Sequence, residues 1–269
     1  MRYSICAEMI HTEVPFHERL ELIRQAGFEA FEFWAWKDKQ LPRLEQAVEG
    51  GMQVATFSGQ RAGSLVEPQD LEGYEAEVRE SMATAKRLGC DRLMVLSDEL
   101  SDDGRVRTKY RLMSQHEKKR NITEGLKRLA PQAEQAEVTL LLEPLNTLVD
   151  HVGYTLESTR DGLEIIDAVG SPRVRLLYDV YHMQIMEGNV IATLEEGMDR
   201  IGHIHVADVP GRHEPGTGEL NYRNILGRVA ELGYQGFVGF ELSPAGDSEA
   251  ALAAIRELCS SIEAQRRKR

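Results

Sequence analysis

Val138-Thr139-Leu140-Leu141-Leu142-Glu143-Pro144 is a short apolar run closed by a carboxylate and a proline. It is too short for a globular helix and carries the β-branched and aliphatic residues of a strand. The same design recurs on both sides of it. Towards the C-terminus come Val174–Asp179, His203–Ala207 and Phe237–Leu242; towards the N-terminus come Arg92–Leu96, Gln53–Phe57, Ala30–Trp34 and Tyr3–Glu8. Each is bounded by Gly, Pro or charge.

Helical patterns separate these runs. Phe16–Ala26, Tyr74–Leu88, Leu156–Val169 and Tyr222–Leu232 are each followed by a glycine suited to a C-terminal cap, and Leu112–Ala136 and Ser248–Arg266 are longer and charged. Strand and helix alternating from end to end imply a parallel sheet. Eight such strands in 269 residues favour an α/β closed (β/α)8 TIM barrel, residues 1–269, as a single domain. No GxGxxG follows the first strand, which argues against an open dinucleotide-binding sheet. The loops Gly59–Gln69 and Ser97–Lys109 are long and follow strands, where a barrel keeps its active-site loops.

Composition narrows the function. A net charge of −12 argues against binding nucleic acid through its phosphates. The one basic run, Arg266 to Arg269, reads as a solvated helix end. Cys6, Cys90 and Cys259 form no CxxC pair, and an odd count suits a reducing cytoplasm rather than a disulfide framework. No apolar run approaches the roughly 20 residues that span a bilayer, so no membrane partner is expected. Long helices rich in Leu and Ala lead to the expectation of a homo-oligomer, a dimer or tetramer.

Barrel chemistry gathers at the C-terminal ends of strands. The last four strands present Glu143, Asp179, His205 and Glu241 there. Taken singly, each has a structural explanation: a salt-bridge partner, a helix N-cap or a core histidine. Together on successive strands they point to a site. Facing carboxylates repel and must be desolvated, and a divalent cation resolves both costs. Three oxygen donors and one imidazole suit Mn²⁺, Mg²⁺ or Co²⁺ better than a thiolate-loving zinc site. His182 and Arg212 lie close in sequence and are candidates to hold a substrate's hydroxyl or carboxylate ends. Asn146 is a candidate to orient the site, with His151 beside it. Of the two indoles after strand two, Trp36 is the candidate apolar wall and Trp34 the candidate core residue.

Four stretches together carry a resemblance to a known family. They are Thr12–Arg19 with Ala26–Phe33; Leu142-Glu143-Pro144-Leu145-Asn146-Thr147 with Gly153-Tyr154; Asp179-Val180-Tyr181-His182; and Arg212–Pro215 through Gly218–Tyr222 and Gly233–Gly236. The chain resembles the hydroxypyruvate isomerases within the xylose-isomerase-like barrel superfamily. The resemblance implies the barrel, one divalent metal ion, and a glutamate pair, Glu143 and Glu241, as acid/base groups. His205 departs from it: hydroxypyruvate isomerases carry Gln there, and His is similar to the ketose 3-epimerase branch. The segments Ser58–Pro68 and Trp34–Trp36 also differ from the pattern.

The expected reaction is isomerisation of a small hydroxy-carbonyl sugar or sugar acid through a cis-enediolate, with the metal as Lewis acid. The same site suits 3-epimerisation of a ketose. It also suits metal-dependent decarboxylation or dehydration of a keto-sugar acid, because fold alone does not choose among these.

Overall fold

Alternation along each strand decides which side chains meet. In Leu140-Leu141-Leu142, the outer two pack outward against helices, while Leu141 turns inward to Met94 and Leu177. The other strands repeat this division, save where register shifts interrupt it in β3 and β7. In the computed structural model, which describes residues 1–106 and 112–267, the strands are β1 (Arg2–Cys6), β2 (Ala30–Phe33), β3 (Gln53–Ser58), β4 (Arg92–Val95), β5 (Thr139–Leu142), β6 (Val174–Asp179), β7 (Ile201–Val206) and β8 (Phe237–Phe240). They pair in sequence order as parallel neighbours and close through β1 and β8. The expected barrel is therefore formed. Residues 107–109 of the loop after β4, and Lys268 and Arg269 of the basic tail, lie outside the described residues.

The helices are α1 (Phe16–Gln25), α2 (Leu41–Glu49), α3 (Leu71–Arg87), α4 (Gln115–Ala136), α5 (Thr159–Val169), α6 (Val180–Met186), α7 (Val190–Gly197), α8 (Tyr222–Glu231) and α9 (Ser248–Arg267). The expected helix Leu112–Ala136 begins later, at Gln115. There the Ser114 side chain accepts from Glu117 N–H, and the Glu117 carboxylate accepts from Ser114 N–H, a capping box legible as Ser-x-x-Glu. Helices α2, α6 and α7, of nine, seven and eight residues, were not among the expected helices. No helix is long and apolar enough to cross a membrane among the described residues.

The main core lies between barrel and helices. Phe33 and Phe57 stack there with centroids 5.0 Å apart, and Leu140, Leu142, Leu176 and Tyr178 are fully buried. Each such Leu removed from water contributes about 1.5–3 kcal/mol. Inside the barrel, Ala30, Ala55 and Phe237 fill one small cluster, and Met94, Leu141 and Leu177 fill another. Two residues beyond Leu141 stands Glu143, and two beyond Leu177 stands Asp179. The same period carries His203 to His205 and Gly239 to Glu241. The alternation that buries the apolar layers thus delivers four polar side chains to one end of the barrel.

Candidate metal centre and active site

Asp179 ends β6 and begins α6. Its Oδ1 accepts from the N–H groups of Tyr181, at 2.7 Å, and His182, at 3.3 Å. It is therefore an N-cap, worth about 1 kcal/mol to the helix. The other oxygen, Oδ2, faces the site, so the capping and ligand readings both hold for one carboxylate. His205 points Nδ1 at three carboxylates: Glu241 Oε2 at 3.5 Å, Glu143 Oε1 at 3.6 Å and Asp179 Oδ2 at 3.9 Å. Donor atoms from all four residues lie within 4.8 Å of one another.

The donor set fits a divalent cation. Glu143 Oε1 and His205 Nδ1 are buried without a hydrogen-bond partner among the described residues, a cost of roughly 1–3 kcal/mol for each such atom. Burial pushes the Asp179 carboxyl up to about 7, with Glu143 and Glu241 adding to the effect against Arg212 and His205. Burial also raises Glu143. Glu241 moves the other way: burial opposes its charge, but Arg212, His205 and the Trp34 indole outweigh it and lower the carboxyl. Burial likewise opposes charge on His205, yet Glu32, Glu241 and Glu143 lift it well above the ordinary imidazole range.

Around this cluster lies a small cavity of about 180 Å³, lined by Trp34, Arg61, Leu145, His151, His182 and Arg212 among others. Its size suits a substrate smaller than the drug-sized ligands that fill cavities of about 300–1,000 Å³. Arg212 does not pair with Glu214 or Glu219. Its Nη2 contacts Glu241 Oε2 and lies 3.9 Å from Asp179 Oδ2, and its guanidinium sits 5.2 Å from the centre of the Tyr181 ring. His182 is buried. The Asn146 backbone N–H donates to its Nδ1 at 3.3 Å, and the Asn146 side-chain amide lies 2.7 Å away. Those donors leave the ring proton on Nε2, 3.5 Å from Asp179 Oδ2. Burial, with Arg212 nearby, drives His182 well below the ordinary imidazole value, so it is neutral. Asn146 sits behind His182, and its Oδ1 accepts from Val149 and Asp150 N–H.

The two tryptophans exchange their expected places. Trp34 lines the cavity, and its indole N–H donates to Glu241 Oε1 at 2.6 Å. Trp36 points away, donates to Ser81 Oγ at 2.8 Å and packs against the main core. Trp34 follows the inward positions Ala30 and Glu32 by even steps directly after β2, and the bend beyond it turns Trp36 away.

The sequence reading also missed Glu32, His203 and Gly239, which lie beneath His205. Glu32 Oε2 is 3.0 Å from His203 Nε2 and 3.4 Å from His205 Nε2. Burial would raise the Glu32 carboxyl, but His203 and His205 override it and bring it to about 2. A glutamate between two phenylalanines, Phe31 and Phe33, was the available signal.

A model of the xylose isomerase-like TIM barrel family matches residues 20–259. The chain belongs to this family. Among its relatives, the hydroxypyruvate isomerase of Escherichia coli K12 is 32% identical over 260 residues, covering 94% of this chain and 97% of the relative. The 2-oxo-tetronate isomerase of Cupriavidus necator is 32% identical over 266 residues, covering 95% and 97%. Among solved structures, a family 2 AP endonuclease from Brucella melitensis superposes with a TM-score of 0.86 at 26% identity, covering 95% and 98%. The barrel fold, the resemblance to isomerases and a residue cluster able to hold a metal all stand as the sequence reading expected.

Proposed function

We propose that this barrel is a metal-dependent isomerase of a small 2-oxo or hydroxy-carbonyl acid, of the hydroxypyruvate isomerase type. The observation that carries this is the meeting of Glu143, Asp179, His205 and Glu241 at one point, beside a small cavity that Glu143, Glu241, Arg212 and His182 line. These four would hold one divalent ion, with Mn²⁺, Mg²⁺ or Co²⁺ best suited to the donors. When bound, the ion supplies Lewis acidity that stabilises an enediolate.

The chain's own groups do the rest. One of Glu143 and Glu241 takes the proton from the carbon beside the carbonyl, and a glutamate returns it to the neighbouring carbon. Burial and neighbouring charges set the two glutamates apart in proton affinity, as an acid/base pair requires. His182 offers a neutral Nε2–H to a substrate oxygen. Arg212 supplies a guanidinium fork for a carboxylate or a pair of hydroxyls, and Trp34 walls the cavity and holds Glu241. The two relatives are named for isomerising small oxo acids, which accords with two arginines, Arg61 and Arg212, on the cavity wall.

His205 favours a second reading, 3-epimerisation of a ketose at the same site. A nuclease, suggested by the name of the Brucella structure, is poorly served by a net charge of −12 and a cavity of this size. The one-domain organisation, homo-oligomeric assembly and cytoplasmic location belong to the same proposal. Three buried, unpaired cysteines accord with the last.

The test is proton NMR in D₂O with hydroxypyruvate, ketoses and keto-sugar acids, with bound metal quantified. Metal-dependent deuterium entry beside a carbonyl, lost in Glu143→Gln and Glu241→Gln, supports enolisation, and the product separates isomerase from epimerase. Release of CO₂ or water instead moves the activity to a lyase. Metal bound with no exchange on any substrate counts against the proposal.

A further inference from the structure

A barrel interior is ordinarily filled by branched apolar side chains. Here one inward position of β2 holds Glu32, only 1% exposed. Burying an ionised carboxylate costs several kcal/mol unless it is paired. A residue needed only for packing would be apolar at this place.

Across β1 from it, strand β8 carries no side chain at the place that the carboxylate occupies. Gly239 on β8 stands opposite His205 on β7, and a Cβ on Gly239 would collide with Glu32 Oε1 and lie 2.6 Å from its Cδ. On the other side, His203 meets Glu32 at 3.0 Å and packs edge-on against His205, with ring centroids 4.9 Å apart and an interplanar angle of 89°. Glu32 is thus confined by β2, β7 and β8 to a position where its carboxylate faces His205 Nε2.

The two nitrogens of His205 therefore see different partners. Nδ1 faces Glu143, Asp179 and Glu241, while Nε2 faces Glu32. A histidine that binds a metal through one nitrogen is commonly held through the other by a carboxylate, which fixes the ring and strengthens the donor. We propose that Glu32, seated in the space left by Gly239 and braced by His203, is the positioning residue that orients His205 and sets the affinity of the site for its divalent ion. This rests on the reading of Glu143, Asp179, His205 and Glu241 as a metal site, and it assigns Glu32 and His203 no contact with ion or substrate.

The experiment is calorimetric titration of the full chain with Mn²⁺ alone, for the wild type, Glu32→Gln, Gly239→Ala and Leu20→Ala, with a melting curve for each. A Co²⁺ absorption spectrum of each supplements the titrations. Leu20 is buried on α1, away from the barrel interior, and serves as a control for lost stability. The expected result is one ion per wild-type chain and an affinity about 10–100-fold weaker in Glu32→Gln. The same direction is expected in Gly239→Ala, which displaces Glu32 without altering any of the four ligands. Their Co²⁺ bands should shift, whereas Leu20→Ala should lower the melting point and leave both affinity and bands at wild-type values. Affinity and spectrum unchanged in Glu32→Gln would overturn the positioning role while leaving the four-residue site intact. Two ions per wild-type chain would overturn it by making Glu32 and His203 ligands themselves. No ion bound by the wild type would remove the metal site, and the inference with it.

Discussion

Replacing Trp34 with Phe keeps an aromatic wall on the cavity and deletes one hydrogen bond, the indole N–H to Glu241 Oε1 at 2.6 Å. The acceptor is a carboxylate whose proton affinity is already lowered by Arg212, His205 and this indole against the effect of burial. A hydrogen bond to a charged group is worth about 1.5–3 kcal/mol, and a pKa unit is about 1.4 kcal/mol. Because the bond favours the ionised form, its loss raises the Glu241 carboxyl. If Glu241 must be ionised to act, the acid limb of the kcat/KM profile moves to higher pH. Rates on that limb should then fall roughly 10–100-fold, while the alkaline limb stays in place. The assay is isomerisation of hydroxypyruvate from about pH 3 to 9 at saturating metal, with wild type and Trp34→Phe in parallel. An acid limb displaced by less than about 0.3 unit, with kcat/KM within about twofold of wild type, would refute both the hydrogen bond's role and the assignment of Glu241 as an acid/base group.

Metal affinity should depend on pH in the direction set by Asp179. Its carboxyl, raised by burial to about 7, holds a proton at lower pH that an ion must displace. Mn²⁺ affinity should therefore fall about tenfold per unit as pH drops below 7, and a flat titration between pH 6 and 8 would contradict the ligand assignment. The same raised value means that Asp179 stabilises the fold below its unfolded value of 3.8 and loses that contribution as pH rises through about 7. Chelator-treated protein should accordingly melt higher at pH 6 than at pH 8, as scanning calorimetry would read. Arg61→Ala removes a cavity-lining guanidinium, and KM for an oxo acid should rise about tenfold or more with kcat little changed. KM for a neutral ketose should not move, and equal effects on both would show that Arg61 does not read the carboxylate.

Strand number, parallel pairing and the end of the barrel that carries chemistry were legible because each rests on local pattern. Leu140-Leu141-Leu142-Glu143 is a strand by composition and length, and its carboxylate falls at the strand end by counting. Asp179 carried two local explanations, cap and ligand. Only three-dimensional proximity shows that Oδ1 caps α6 while Oδ2 faces His205. Trp34 and Trp36 could not be assigned from their order alone. Even-step parity from Ala30 carries as far as Trp34, the first residue after β2, and the bend there ends it before Trp36.

The sequence by itself determined the alternation of strands and helices, and with it the four side chains delivered to one rim. Those follow from periodicities of single segments and need no partner. Tertiary structure alone decided what lies opposite what. Glu32, Gly239, His203 and His205 come from three strands, and their meeting depends on the closure and register of the barrel. A buried charge's partners are set by distances across the interior, and those distances arise only once β1 and β8 have joined.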